Sequence, residues 1–128
     1  RNTGREFIPI IWFPHPFYPH PETDELCRFN IPVDFPENPG FERSESGFIR
    51  RKGWPWDKGY FQALDHQATS NLVVFQKHPQ LGLVAATCSY VPCFFPIWGN
   101  EFTFSWEPYF ERTLARSQGT SWWIDYEF

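Results

Sequence analysis

Methionine is absent from the 128 residues, and cysteine occurs only three times. With an opening at Arg1-Asn2-Thr3-Gly4-Arg5, the missing methionine fits a processed product or a fragment, so no leader informs the compartment, and an organelle and a secreted product are equal readings. Three cysteines, Cys27, Cys88 and Cys93, make no even disulfide framework. A Cys88–Cys93 bridge leaves Cys27 over, whereas three thiols buried as small hydrophobes in a reducing compartment need no bridge; the second reading is the simpler. No Asn-x-Ser/Thr acceptor occurs, which removes one positive argument for a secreted glycoprotein.

Positive charge is also in deficit. Eleven Lys and Arg against 15 Asp and Glu give a net charge of -4, which argues against a general grip on nucleic acid or on an anionic membrane. Arg50-Arg51-Lys52, flanked by Phe48, Trp54 and Trp56, is only a short basic run and reads as a solvated bend beside rings. Gly-x-Gly-x-x-Gly, Gly-x4-Gly-Lys-Ser/Thr and Gly-x-Ser-x-Gly are all missing, so no nucleotide fingerprint and no nucleophile elbow is present. Cys-x2-Cys, His-x3-His and His-Glu-x-x-His are missing too, and prolines between His15 and His20 prevent a shared helix face; neither a metal nor a cofactor is expected. The 22 residues from Pro79 to Asn100 carry no Asp, Glu, Lys or Arg, yet Gly82, Ser89, Pro92, Pro96 and Gly99 interrupt them, which argues against a transmembrane helix.

What the chain has in excess is aromatic side chains: 15 Phe, seven Trp and five Tyr. Eight of the 13 prolines lie at or before Pro39. Prolines at this density remove too many backbone donors for a helix or a central strand. Residues 7–19 are nevertheless too apolar for a disordered tail, so residues 1–58 read as an extended, partly polyproline-like arm with loops, whose rings need a surface. Within it, Phe29, Ile31, Val33 and Phe35 alternate as one short edge strand beside Pro32.

Residues 59–128 read as a small α+β domain, mostly antiparallel sheet with one or two short helices. Tyr60, Phe61, Leu64 and Ala68 share a helical face and predict a helix over 60–68. Pro108 first, Gly119 last, and Tyr109, Phe110 and Leu114 at helical spacing predict a second over 108–118. Residues 72–75 and 81–91 predict one hairpin, and 93–98 with 101–106, turning at Gly99-Asn100, predict another. Trp122, Ile124, Tyr126 and Phe128 predict a closing strand.

Three functional classes follow. The leading expectation is a non-enzymatic accessory or structural subunit that binds other protein subunits of a larger assembly, a membrane complex included. Its arm residues Phe7, Ile10, Ile11, Trp12, Phe13, Phe17 and Tyr18 form the contact, because aromatic anchors dominate protein interfaces. The alternative is a soluble carbohydrate- or peptide-binding module using Trp54, Trp56, Trp98 and Trp123, with Asp57 and Asn100 as polar neighbours. The third class is a small hydrolase using His66 with Asp65 or Asp57, the densest titratable grouping, although adjacent Asp65 and His66 diverge by about 100 degrees on a helix.

Overall fold

From Pro9 to His20 burial alternates without interruption, even-numbered residues turned inward and odd-numbered ones outward. Period two is the signature of extended backbone, and it runs straight through the prolines. The computed structural model, which describes residues 1–128, continues in the same manner: twelve strands and no helix of seven residues or more. The strands are β1 (Ile8–Trp12), β2 (Tyr18–Pro19), β3 (Glu25–Phe29), β4 (Phe41–Arg43), β5 (Ile49–Arg51) and β6 (Tyr60–Leu64), then β7 (Val73–His78), β8 (Gly82–Cys88), β9 (Phe95–Gly99), β10 (Thr103–Trp106), β11 (Phe110–Leu114) and β12 (Ile124–Glu127). The one helical element is a 3-10 turn, Trp56–Lys58.

These strands form a six-stranded sheet in the order β12-β8-β7-β3-β5-β4, a four-stranded sheet β2-β10-β9-β6, and a ribbon β1-β11. Every pairing is antiparallel. One core of 17 buried residues joins them: Phe95, Ile97, Phe104 and Trp106 of the smaller sheet meet Cys27, Val74, Ala86 and Cys88 of the larger. Full burial of a large apolar side chain stabilises by about 1.5–3 kcal/mol, so Trp106, Phe95 and Phe104, each fully buried, anchor the sandwich. Leu26, Phe41 and Ile49 belong to the same core as Leu64 and Leu72, so the division expected at Gly59 runs through shared sheets.

The expected α+β fold is therefore corrected to an antiparallel β fold. Residues 60–68 and 108–118 are not helices; they contain β6 and β11. The physical reason is a coincidence of periods, since residues i and i+4 share a face on a strand as well as on a helix. Tyr60 with Leu64 and Phe110 with Leu114 satisfy both, but the burial of Gln62 between outward Phe61 and half-buried Ala63 fits only period two. At the end of the second segment Ser117, not Gly119, takes the left-handed conformation, with φ 66°.

Both expected hairpins form. β7 pairs with β8 from Val73–Thr87 to His78–Gly82, and β9 pairs with β10 from Gly99–Phe104 to Ile97–Trp106. The second turn differs from the expectation: Gly99 stays in its strand, and the Asn100 side-chain oxygen accepts from the N–H groups of Phe102 and Thr103, both at 2.9 Å. Such an Asx turn needs no glycine. The closing strand β12 pairs with β8, and the strand expected over 29–35 is displaced to β3, leaving Asp34 in an isolated bridge to Asp65. The uncharged run 79–100 holds β8 and β9, and no helix is long and apolar enough to cross a membrane.

Candidate functional site: an aromatic face over the smaller sheet

The outward row of the arm crosses the smaller sheet and joins its rings. Phe13 stacks on Tyr109 with centroids 4.3 Å apart and planes within 8°, and His15 stacks on Phe17 at 4.6 Å. Trp98 meets His15 and Phe17 edge-on at 6.2 and 6.4 Å. Phe94 touches Tyr109 at 5.2 Å and Phe61 at 6.5 Å, and Phe61 lies directly opposite Trp98 in the β6–β9 register. With Phe13 6.3 Å from His15, the contacts link into a chain of rings drawn from the arm, β6, β9 and the segments flanking β9 and β11, whose ends, Phe61 and Trp98, are neighbours by register. Phe17 and Phe61 are 64% and 52% exposed, so this face is open to solvent even though its rings hold one another.

A polar line runs beneath these rings. Ser105 stands opposite Trp98 across β9–β10, its Oγ 3.4 Å from His15 Nδ1, while His15 Nε2 lies 3.3 Å from Glu107 Oε1. Glu107 is buried, and burial together with its carboxylate pushes the Tyr109 phenol upward. The order hydroxyl, imidazole, carboxylate is that of an acyl-transfer site, yet Ser105 is fully buried and no substrate carbonyl reaches its Oγ. The line fastens the arm instead.

Of the arm residues expected to contact a partner, Phe13 and Phe17 sit on this face, and Phe7 and Ile11 are exposed beside the ribbon. Ile10, Trp12 and Tyr18 point inward: Trp12 packs between Tyr90 and Trp122 at 6.4 and 5.7 Å, and Tyr18 stacks on Trp106 at 5.6 Å. Half of the arm is thus spent on the chain's own sandwich.

Of the tryptophans, Trp98 belongs to the aromatic face, Trp54 and Trp56 line a separate concavity beside Arg51, and Trp123 lies exposed next to β12. Asp57 is exposed on the 3-10 turn, and the Asn100 side chain is consumed by its own turn. No protein-family model, curated protein or solved structure matches this chain.

Of the grouping expected for a hydrolase, Asp57 separates from Asp65 and His66. Asp57 precedes β6 and His66 follows it, which puts them on the order of 15 Å apart along the strand. Asp65 and His66 line a concavity of about 540 Å³ with Asp34, and His66 Nδ1 accepts the Ala68 N–H at 3.2 Å. No three His, Cys, Asp or Glu side chains gather as metal ligands. In the basic run, Arg50 is bound to Glu42 and Lys52 to Glu37, which leaves little free charge for phosphates.

Phe61, Phe94, Ser105, Glu107 and Tyr109 are not site residues in the sequence reading, which puts Phe61 and Tyr109 on helix faces instead. The period-two alternation that puts Phe13, His15 and Phe17 on one side is one of burial, and the sequence over 9–20 carries apolar residues on both sides. Nothing local marks Glu107 as a partner of His15, which lies in the arm at the far end of the sequence.

Proposed function

We propose that this chain is a non-enzymatic interaction module that docks another protein chain on the aromatic face built from Phe13, Phe17, Phe61, Phe94, Trp98 and Tyr109. The supporting observation is the chain of contacting rings, Phe13, Phe17, Phe61 and Phe94 exposed and Trp98 and Tyr109 half-buried, continued by Phe7 and Ile11 at 72% and 65% exposure. Monomers rarely keep contiguous apolar patches larger than about 300–600 Å² without a use, and Phe, Trp and Tyr are the residues enriched in interface cores. A sugar is a poorer occupant, because phenylalanine offers no hydrogen bond and Phe13 already covers Tyr109. An anionic lipid surface is poorer still for a chain of net charge -4.

Native purification of the full chain from its source cells, with intact-mass stoichiometry, tests the reading. The expected result is a partner at fixed stoichiometry that is lost from the double variant Phe17→Ser, Phe61→Ser. A chain that elutes alone, or a partner retained by that variant, overturns it.

A further inference from the structure

A second site lies away from the aromatic face, where β5 runs into the 3-10 turn. The concavity there measures about 620 Å³, within the range of about 300–1,000 Å³ that holds small ligands. Trp54 and Trp56 form part of its wall. Their indole N–H groups donate to the carbonyls of Gly59 and Lys52, both at 3.0 Å, so each ring is held in place before any ligand arrives. Trp54 is further braced edge-on by Tyr60 at 5.2 Å, and Trp56 by the tilted ring of Phe41 at the same distance. Both tryptophans remain half-buried rather than closed off.

The polar residues of the wall mix donors with acceptors. Asp24 and Glu42 accept, Arg50 and Lys52 donate, and vicinal hydroxyls, which do both, match such a set. The cations differ in one respect. Arg50 Nε donates to Glu42 at 2.6 Å and Lys52 binds Glu37, but Arg51 has no carboxylate within 4.0 Å. Its guanidinium lies 4.9 Å over the Trp56 ring, and Nη1 donates to the Asn100 carbonyl at 3.2 Å. That carbonyl also receives His20 Nε2 at 2.6 Å, and Arg51 Nη1 lies 3.0 Å from the same Nε2, while Arg51 Nε, His20 Nδ1 and Thr103 Oγ1 are buried with no hydrogen-bond partner. Half-buried, Arg51 makes its direct contacts to neutral groups, and the charge of Asp24 acts on it from beyond ion-pair distance.

We infer that this concavity binds a short acidic glycan, a uronate-bearing sugar whose ring lies against the Trp54–Trp56 wall and whose carboxylate takes the Nη2 donors of Arg51, which have no partner in the chain and are not buried. Aromatic faces hold the apolar side of a pyranose, and guanidinium donors suit a planar carboxylate better than an ammonium does. The arrangement is independent of the aromatic face and requires no partner protein.

Titration of the full chain with digalacturonate, followed by the indole N–H signals of Trp54 and Trp56, is the direct test. The expected result is saturable movement of both signals, with the dimethyl ester binding about tenfold or more weakly because the charged hydrogen bonds are gone. Arg51→Gln is expected to equalise acid and ester. Because Arg51 also supports the Asn100 turn, Trp54→Ala serves as a second variant and is expected to weaken acid and ester alike. A glutamate-rich peptide of equal charge is expected to leave both indole signals unmoved. Unmoved signals with digalacturonate, equal affinity for acid and ester, or equal binding of the peptide each overturn the assignment.

Discussion

His15 Nε2 sits 3.3 Å from Oε1 of Glu107, joining the middle of the N-terminal arm to a buried carboxylate after β10. Glu107 has no other side-chain partner, so removing the imidazole leaves the carboxylate without compensation in a buried setting. His15→Ala is expected to destabilise the fold by about 1–3 kcal/mol, and Glu107→Gln on the same background to recover part of the loss. A double-mutant cycle by urea unfolding measures the coupling. Equal stability of all four proteins contradicts the fastening role.

Phe110 and Leu114 are the inward ends of β11, facing Trp12 and Ile8 of β1. Phe110→Ala or Leu114→Ala is expected to cost about 2–5 kcal/mol in chemical unfolding. Exposed Arg116→Ala is expected to stay within about 0.5 kcal/mol. Backbone chemical shifts of residues 110–114 are expected to be those of extended chain.

Two side chains give stability a stepwise dependence on pH. Burial, helped by the Arg51 charge, lowers the His20 imidazole below its ordinary 6.5, so the folded chain binds this proton more weakly than the unfolded chain. The Lys77 ammonium, with the Ser46 and Ser44 hydroxyls, holds the Glu25 carboxyl at about 2 against an ordinary 4.5. In both cases the unfolded state takes the proton first, so stability is full above the ordinary value and falls as pH drops through the folded one. The urea midpoint is expected to decline below pH 6.5 and again between 4.5 and about 2, the second step being small because Glu25 is solvated. His20→Gln removes the first step and Glu25→Gln the second.

The three thiols differ in access. Cys27 and Cys88 are buried, and burial pushes the Cys27 thiol far up and the Cys88 thiol up to about 12; Cys93 is exposed, with its thiol at 3.4 Å from the Tyr109 carbonyl. A thiol reagent at mildly alkaline pH is expected to modify one cysteine of the native chain and all three in guanidinium. Rapid modification of Cys27 or Cys88 in the native protein contradicts the burial described.

The hairpins were legible because their evidence is local: Leu72-Val73-Val74-Phe75 and Phe102, Phe104 and Trp106 alternate beside a recognisable turn. The helices were misread where two periods agree on the same residues, Phe110 with Leu114 above all. Pro9, Pro14, Pro16 and Pro19 hid the strands of the arm, although a proline on an edge strand withholds a donor from nothing. The aromatic face was half legible, since Phe13 and Phe17 were named as contact residues while Phe61, Phe94 and Tyr109 reach them only through pairings distant in sequence. Arg51 was visible as charge, but its lack of a carboxylate depends on where Glu37 and Glu42 fall.

The pairing of β1 with β11 has a kinetic meaning. Ile8 finds Leu114 across more than a hundred intervening residues, so the arm has no docking site until synthesis has passed Leu114 and the ribbon's second strand is in place. Contacts of such separation slow folding, because loop closure precedes any reward. During that interval Phe7, Ile8, Ile10, Ile11, Trp12 and Phe13 travel as an unpaired apolar segment, the hazard that prolines at positions 9 and 14 blunt by denying it a continuous strand edge.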